Sequence, residues 1–279
     1  WVKELTDMVL AGEEGKKVVY VSYPPIPQIV AALALTADNV YCAPPDIVLN
    51  NTLNLVFDRI NTVLETAEQN GLAPGIAFCS YLQIRLGAIV KGIIPRPDLL
   101  IPSCFLCDLT PATDQLLHEL FGTPVAYIDN LMDEKGELWP DHISPRKISY
   151  FATEMKNAIV AYSRATGFPL NESDVKEAVA AAGRLSAAGR MQELLRAAPL
   201  PFGLNDSQLV SALGCTGRGL KEGPAALAIL MDELEKRVAA GGGVVRKGAP
   251  RVMLVMVPHD PSLVKTIGEM GLAACVTAG

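Results

Sequence analysis

The chain has 279 residues, half of them apolar and 19% charged, a composition that can build a sizeable core and argues against intrinsic disorder. With 24 basic against 30 acidic side chains the formal charge is -6, and no basic excess exists to neutralise nucleic-acid phosphates. Mean hydropathy is +0.27, yet Pro, Gly or a charge interrupts every long apolar stretch before the roughly 18 residues a membrane span needs.

Residues 3–10, KELTDMVL, predict a short amphipathic helix that leads into KKVVYVSYPP, a β-branched strand ending in Ser22 and prolines. IPQIVAALAL follows as a helix with Pro27 in its first turn, and DNVYCAPPD returns as a second short strand. In residues 50–70 the apolar side chains Leu53, Val56, Phe57, Ile60, Val63 and Leu64 fall on one helical face, with a C-cap at Asn70 and Gly71. The strand GIAFCSY, a helix around LQIRLGAIVKG, the strand DLLIPSC, a helix around PATDQLLHELFG and the strand TPVAYID come next. Alternation at this pitch predicts a doubly wound, mostly parallel sheet.

From Ser144 to about Val238 the pattern becomes helical, and GGGVVRKGAP reads as a hinge. RVMLVMVPHDP, SLVKTIGEM and GLAACVTAG then read as strand, helix and strand, too few elements for an independent sheet domain. The expected organisation is an N-terminal helix (1–17), a first α/β domain (18–135), a helical segment with hinge (136–248) and the start of a second, incomplete α/β domain (249–279). The chain starts at Trp1 and stops at Gly279 just after an apolar segment, and reads as a fragment. No signal sequence opens it, so the expected location is the cytoplasm, and Asn-x-Ser/Thr at Asn50, Asn171 and Asn205 is incidental.

Six cysteines are too sparse for a disulfide framework in a chain of this size, so they read as thiols or metal ligands. Open α/β sheets bind ligands at the carboxyl ends of their strands. Ser22, Cys42, Cys79, Cys104, Cys107 and Asp129 are expected at or just past such ends. Neighbouring strands lie about 4.8 Å apart, so Cys79 and Cys107 can converge on one metal centre, although buried thiols give the same pattern. Soft thiolates suit zinc or an iron-sulfur cluster.

Cys104 and Cys107 form a C-x-x-C, a zinc half-site or redox dithiol, but no second pair completes a zinc site. Cys42 reads as a packed thiol more than a ligand, and Cys275, in the last strand, would alone read as core. Around Cys215, GCTGRG lacks the strand and the lysine of a phosphate loop. His118 reads as a surface or capping residue, and with His142 and His259 makes no zinc hydrolase site. A G-x-S-x-G elbow is absent, and GKK at 15–17 precedes its strand.

YVSYPPIPQIVAALAL, FCSYLQIRLGAIVKG and PRPDLLIPSCFLCDLTPATDQLLHELFGTPVAYID resemble the 2-hydroxyacyl-CoA dehydratase and benzoyl-CoA reductase family. The likeness runs through about residues 18–130, more loosely beyond, and its specific part is C-S-Y followed by P-D, an apolar run and C-D. It implies two flavodoxin-like α/β domains with a helical segment between them, and a 4Fe-4S cluster held by three cysteines with one iron open. Carried over, Cys79 and Cys107 are two ligands. Cys275 is a candidate third, although the family places that ligand a few residues beyond such a strand.

The Ser22 to Pro25 loop matches the segment that closes over the acyl-CoA, which makes Ser22 a candidate substrate contact; a turn serine is the other reading. The resemblance also implies a homologous partner subunit and an ATP-hydrolysing activator that drives one electron into the cluster. The thioester then becomes a ketyl radical anion, expels the 2-hydroxyl and returns the electron, a lyase reaction of anaerobic type. An open iron acts there as a Lewis acid. The additional thiols Cys42 and Cys104 depart from the dehydratase pattern and are similar to relatives with a double-cubane cluster. Alternatives are a benzoyl-CoA reductase-type or double-cubane reductase subunit, a partner subunit that has lost its cluster, and a zinc or redox-thiol module using Cys104 and Cys107.

Overall fold

The computed structural model describes residues 1–22, 38–72, 79–104, 107–129, 144–183, 222–255 and 261–278. The expected helix after Pro27, most of the strand GIAFCSY, and Cys215, His142 and His259 lie outside them.

Helix α1 (Val2–Glu13) leads into strand β1 (Lys17–Val21), which pairs in parallel with β2 (Val40–Ala43) on one side and β3 (Leu99–Ile101) on the other. Asp98 fixes the start of this sheet, accepting from the Val18 backbone N–H at 2.8 Å and from Lys17 Nζ at 2.7 Å. Beyond β3 the segment TPVAYID makes two isolated parallel bridges, Leu100 with Val125 and Ser103 with Ile128, where a full strand was expected. The order β2-β1-β3 sends successive strands to opposite sides of β1. Its switch point, where a crevice opens in such sheets, therefore lies between the carboxyl ends of β1 and β3.

The single helix expected over residues 50–70 is replaced by two pieces. Helix α2 (Pro45–Leu49) runs into a π-helical segment (Asn50–Val56), and α3 (Asn61–Gln69) starts after a break at which Asp58 has φ 51°. The wider turn reverses the expected burial: Asn50, Asn51, Thr52 and Asn54 are buried, while Val56 and Phe57 are each 43% exposed. Two of these buried polar side chains find partners within the segment, as buried polar groups usually do. Asn54 Nδ2 donates to Asn50 Oδ1 at 3.2 Å and Thr52 Oγ1 to the Val48 carbonyl at 2.6 Å.

Helix α4 (Ser80–Val90) packs closely on α3, and α5 (Leu109–Phe121) ends at the left-handed Gly122. His118, in the last turn of α5, meets the Thr123 carbonyl through Nδ1 at 2.8 Å and so ties off the helix end. Helices α1 to α5 bury one face of the sheet around Tyr20, Leu49, Val63, Ile84, Leu86, Leu100 and Leu117. Helix α6 (Pro145–Thr166), N-capped by Ser144, covers the other face with Ala158 and Tyr162 against Val19, Val21, Cys42 and Ile101.

Together with α6, helices α7 (Glu172–Gly183) and α8 (Glu222–Ala239) make up the described helices of the helical segment. Strand β4 (Arg251–Val255), helix α9 (Pro261–Glu269) and strand β5 (Ala273–Ala278) then form a parallel β-α-β unit, as expected. Ala274 pairs with Val252 and Val276 with Met253, so Cys275 is the extra residue of a β-bulge. No helix among the described residues is long and apolar enough to cross a membrane.

Candidate functional site

The carboxyl edge at the switch point brings together the ends of β1 and β3 and the starts of α4 and α5. Ser22 follows β1 directly, and its backbone N–H donates to the Ile101 carbonyl at 3.1 Å, which continues the sheet by one rung. The segment after β3 carries Cys104, whose N–H donates to the Ile128 carbonyl at 2.9 Å, and Cys107, next to the α5 N-cap Asp108. Cys79 is itself the N-cap of α4, in extended conformation, and its carbonyl accepts from Leu82 at 2.9 Å and Gln83 at 3.0 Å. The Gln83 amide reaches back to the Leu72 carbonyl and holds α4 to the end of α3.

Helix α5 connects β3 to the parallel bridges at Val125 and Ile128, and α4 runs into β3. Arg85 of α4 meets Asp46 just past β2 and Asp114 of α5, so both helices start near the carboxyl edge. That edge therefore receives Cys79 and Cys107, each beside a helix N-terminus, where backbone N–H groups and the helix dipole favour bound negative charge. Cys79 is exposed and Cys104 and Cys107 are partly buried. Cys42 differs. It lies inside β2, fully buried in the α6-side core, and does not reach the strand end where it was expected.

Under the crevice lies a buried ionic network that sequence reasoning did not find. Arg85 of α4 is fully buried between two fully buried carboxylates. Its Nη1 donates to Asp46 Oδ2 of α2 at 2.6 Å, and its Nη2 lies 2.6 Å from Asp114 Oδ1 of α5, an ionic contact without hydrogen-bond alignment. The other Asp114 oxygen accepts from Ser22 Oγ at 2.6 Å, and Ser22 is fully buried. One guanidinium thus ties together β1, α2, α4 and α5. The signal was present in SYLQIRLGAIV, where Arg85 is the only charged residue of a mostly apolar helix.

Burial raises the Asp114 carboxyl from 3.8 to about 6; Arg85 and the Ser22 hydroxyl pull it down and Asp46 pushes it up. Burial, followed by Asp129, Asp114, Asp108 and Glu154, pushes the Cys104 thiol up to about 11. In the metal-free chain at neutral pH Cys104 therefore stands as a thiol, a weak nucleophile for exchange.

Among the described residues no group of three or more His, Cys, Asp or Glu side chains is arranged to hold a metal ion. Cys79 and Cys107 carry the thiol donors that an iron-sulfur centre uses, one at the N-cap of α4 and the other beside the N-cap of α5. The Cys275 backbone is described, but its side chain lies outside the described set.

A parallel α/β fold that gathers thiols, a serine and a buried ionic network at its switch point has the architecture of a small-molecule enzyme. The family model for the 2-hydroxyglutaryl-CoA dehydratase D-component matches residues 31–278, and the chain belongs to that family. The family name points to a dehydratase, a lyase-type enzyme. None of the curated proteins compared with the chain matches it.

Proposed function

We propose that this chain is the iron-sulfur subunit of an acyl-CoA dehydratase that removes water from a 2-hydroxyacyl-CoA. The observation that carries the reading is the location of Cys79 and Cys107. In a member of the dehydratase family, two thiols stand at the starts of adjacent helices on the carboxyl edge of the sheet. Those two residues would hold a 4Fe-4S cluster, with Cys275 as third ligand from a second flavodoxin-like unit that begins with β4, α9 and β5. When bound, the cluster would supply a low-potential electron for a ketyl radical and an open iron acting as Lewis acid.

The chain's own residues prepare that chemistry. The N-termini of α4 and α5 offset the negative charge of a thiolate-bound centre. The Ser22 hydroxyl, spent on Asp114, anchors the start of the loop that would close over the acyl-CoA. This reading takes a single cluster that leaves Cys104 unligated, in place of a double-cubane cluster or a C-x-x-C zinc module. A homologous subunit and an ATP-dependent activator complete the proposed assembly.

The test is anaerobic reconstitution of the chain with iron and sulfide, followed by metal analysis and electron paramagnetic resonance. About four irons per chain are expected, lost in Cys79→Ala and in Cys107→Ala and retained in Cys104→Ala. A chain that stays colourless and iron-free, or one whose metal is zinc that disappears with Cys104, would overturn the reading.

A further inference from the structure

Arg85 and Asp114 occupy equivalent places in two helices. Cys79 is the N-cap of α4 and Asp108, beside Cys107, is the N-cap of α5. At a rise of about 1.5 Å per residue, each charged side chain sits about 9 Å along its helix from that cap. The two helices start at the same sheet edge, so their buried 2.6 Å contact joins them at one height and holds their starts level. Neither end of the brace can drift. Arg85 is also held by Asp46 of α2, and Asp114 by Ser22 at the end of β1. Water does not screen the contact, because Arg85, Asp46, Asp114 and Ser22 are all fully buried.

Stability alone does not call for such an arrangement. A well-packed apolar cluster of the same volume stabilises a core as well as buried ions or better. Two carboxylates share one guanidinium here, and Arg85 Nε has no hydrogen-bond partner among the described residues. What ions supply and aliphatic packing does not is a strong attraction between two named groups in a medium that does not screen it.

We propose that Arg85 and Asp114 are positioning residues, a buried brace that sets the distance between the Cys79 and Cys107 thiols. The inference rests on the reading of those two thiols as joint ligands. It adds that their spacing is preset in the metal-free chain by charges that touch neither of them.

The experiment uses the full metal-free chain with Cys42, Cys104, Cys215 and Cys275 replaced by alanine, so that only Cys79 and Cys107 remain. The probe is a monosubstituted arsenical, which forms two As–S bonds with loss of one water only when both thiols face the same arsenic. The starting chain should bind it as a two-thiol chelate. Arg85→Lys keeps the charge but reaches one carboxylate in place of two, and it should weaken that chelate about tenfold or more, since small misplacements of paired groups cost that much. The triple replacement Asp46→Leu, Arg85→Met, Asp114→Leu should remain folded, as judged by circular dichroism, and lose the chelate to the same extent.

Asp46→Asn removes the anchor of Arg85 on α2 but leaves its contact with Asp114, and should weaken the chelate less than Arg85→Lys does. In wild-type background, Arg85→Lys should also change the paramagnetic resonance signature of the reconstituted chain. If Arg85→Lys binds the arsenical as tightly as the starting chain, or Asp46→Asn weakens it equally, the brace is overturned and the reading of the two thiols stands. If the starting chain itself forms no chelate, the convergence of Cys79 and Cys107 fails, and the brace fails with it.

Discussion

The two faces of the three-stranded sheet are built on different principles. Against α6 the sheet packs an apolar cluster, with Tyr162 its largest fully buried member and the Cys42 thiol among valines and isoleucines. Against α2 to α5 an apolar core also forms, but at the carboxyl edge it gives way to Ser22, Asp46, Arg85, Asp114 and the amides of the π-helical segment, all buried. Polar groups are expensive to desolvate, so their concentration on one face and at one edge marks where attraction between named groups matters more than burial. Cysteine shows the same division: Cys42 is filling, whereas Cys79 and Cys107 stand at helix starts beside the crevice.

The largest effect should come from breaking the ionic floor halfway. Arg85→Met leaves Asp46 and Asp114 buried without their shared cation, and is expected to cost about 3 to 5 kcal/mol, measured as the shift in urea midpoint. Replacing all three charges by apolar residues should recover most of that loss. An equal loss in both variants would mean that the network, like the opposite face, acts through its packing volume alone.

The pH dependence of stability separates the faces next, because the fully buried carboxylates Asp46 and Asp114 lie on one of them. Asp114 binds its proton more tightly in the folded chain, with its value raised by burial from 3.8 to about 6. Between these values the folded state holds more protons than the unfolded state. The contribution of Asp114 is therefore fully present below about pH 4 and is lost as pH rises through about 6, on the order of 3 kcal/mol. Asp114→Asn should flatten this part of the curve. Equilibrium unfolding of both proteins at pH 4.5 and pH 7.5 reads the difference, and parallel curves would show that Asp114 already ionises as a normal carboxylate.

Much of this division was legible in the sequence. Strand-helix alternation gave the parallel sheet, and the positions of Ser22, Cys104 and Cys107 past strand ends followed from it. Cys42 was misplaced by a residue or two because strand boundaries are weakly marked when apolar residues run into Pro44 and Pro45. The amides of NNTLN were read by their apolar neighbours, since periodicity assumes 3.6 residues per turn and a π-helical segment does not keep it. The ionic floor was invisible for another reason. Asp46, Arg85 and Asp114 lie far apart in the chain, and no local pattern says that three separate charges share one buried site.

Close helix packing is specific to the polar face as well. A Cβ on Gly87 of α4 would meet the Val63 carbonyl oxygen at 2.0 Å and Val63 Cγ1 at 2.9 Å, so α3 and α4 approach each other only because this residue is glycine. Gly87→Ala should force the helices apart and destabilise the chain by about 1 to 3 kcal/mol in thermal or denaturant unfolding. An unchanged midpoint would show that α3 can slide without penalty.

The smallest effect sharpens the comparison between cysteines. Cys42 fills the apolar face and makes no part of the crevice, so Cys42→Ala should cost about 1 kcal/mol through lost packing and leave iron uptake at the wild-type level. Cys107→Ala should do the opposite. Its side chain is only partly buried, so stability should hardly change, and the reconstituted chain should lose its iron. The pair is best measured together, by unfolding midpoint and iron content on the same preparations. Loss of iron in Cys42→Ala with an unchanged midpoint would place a ligand in the middle of a strand and require that β2 be displaced from the register seen here. Values in the expected order would show that position at the strand end, and not residue type, decides which thiols serve the site.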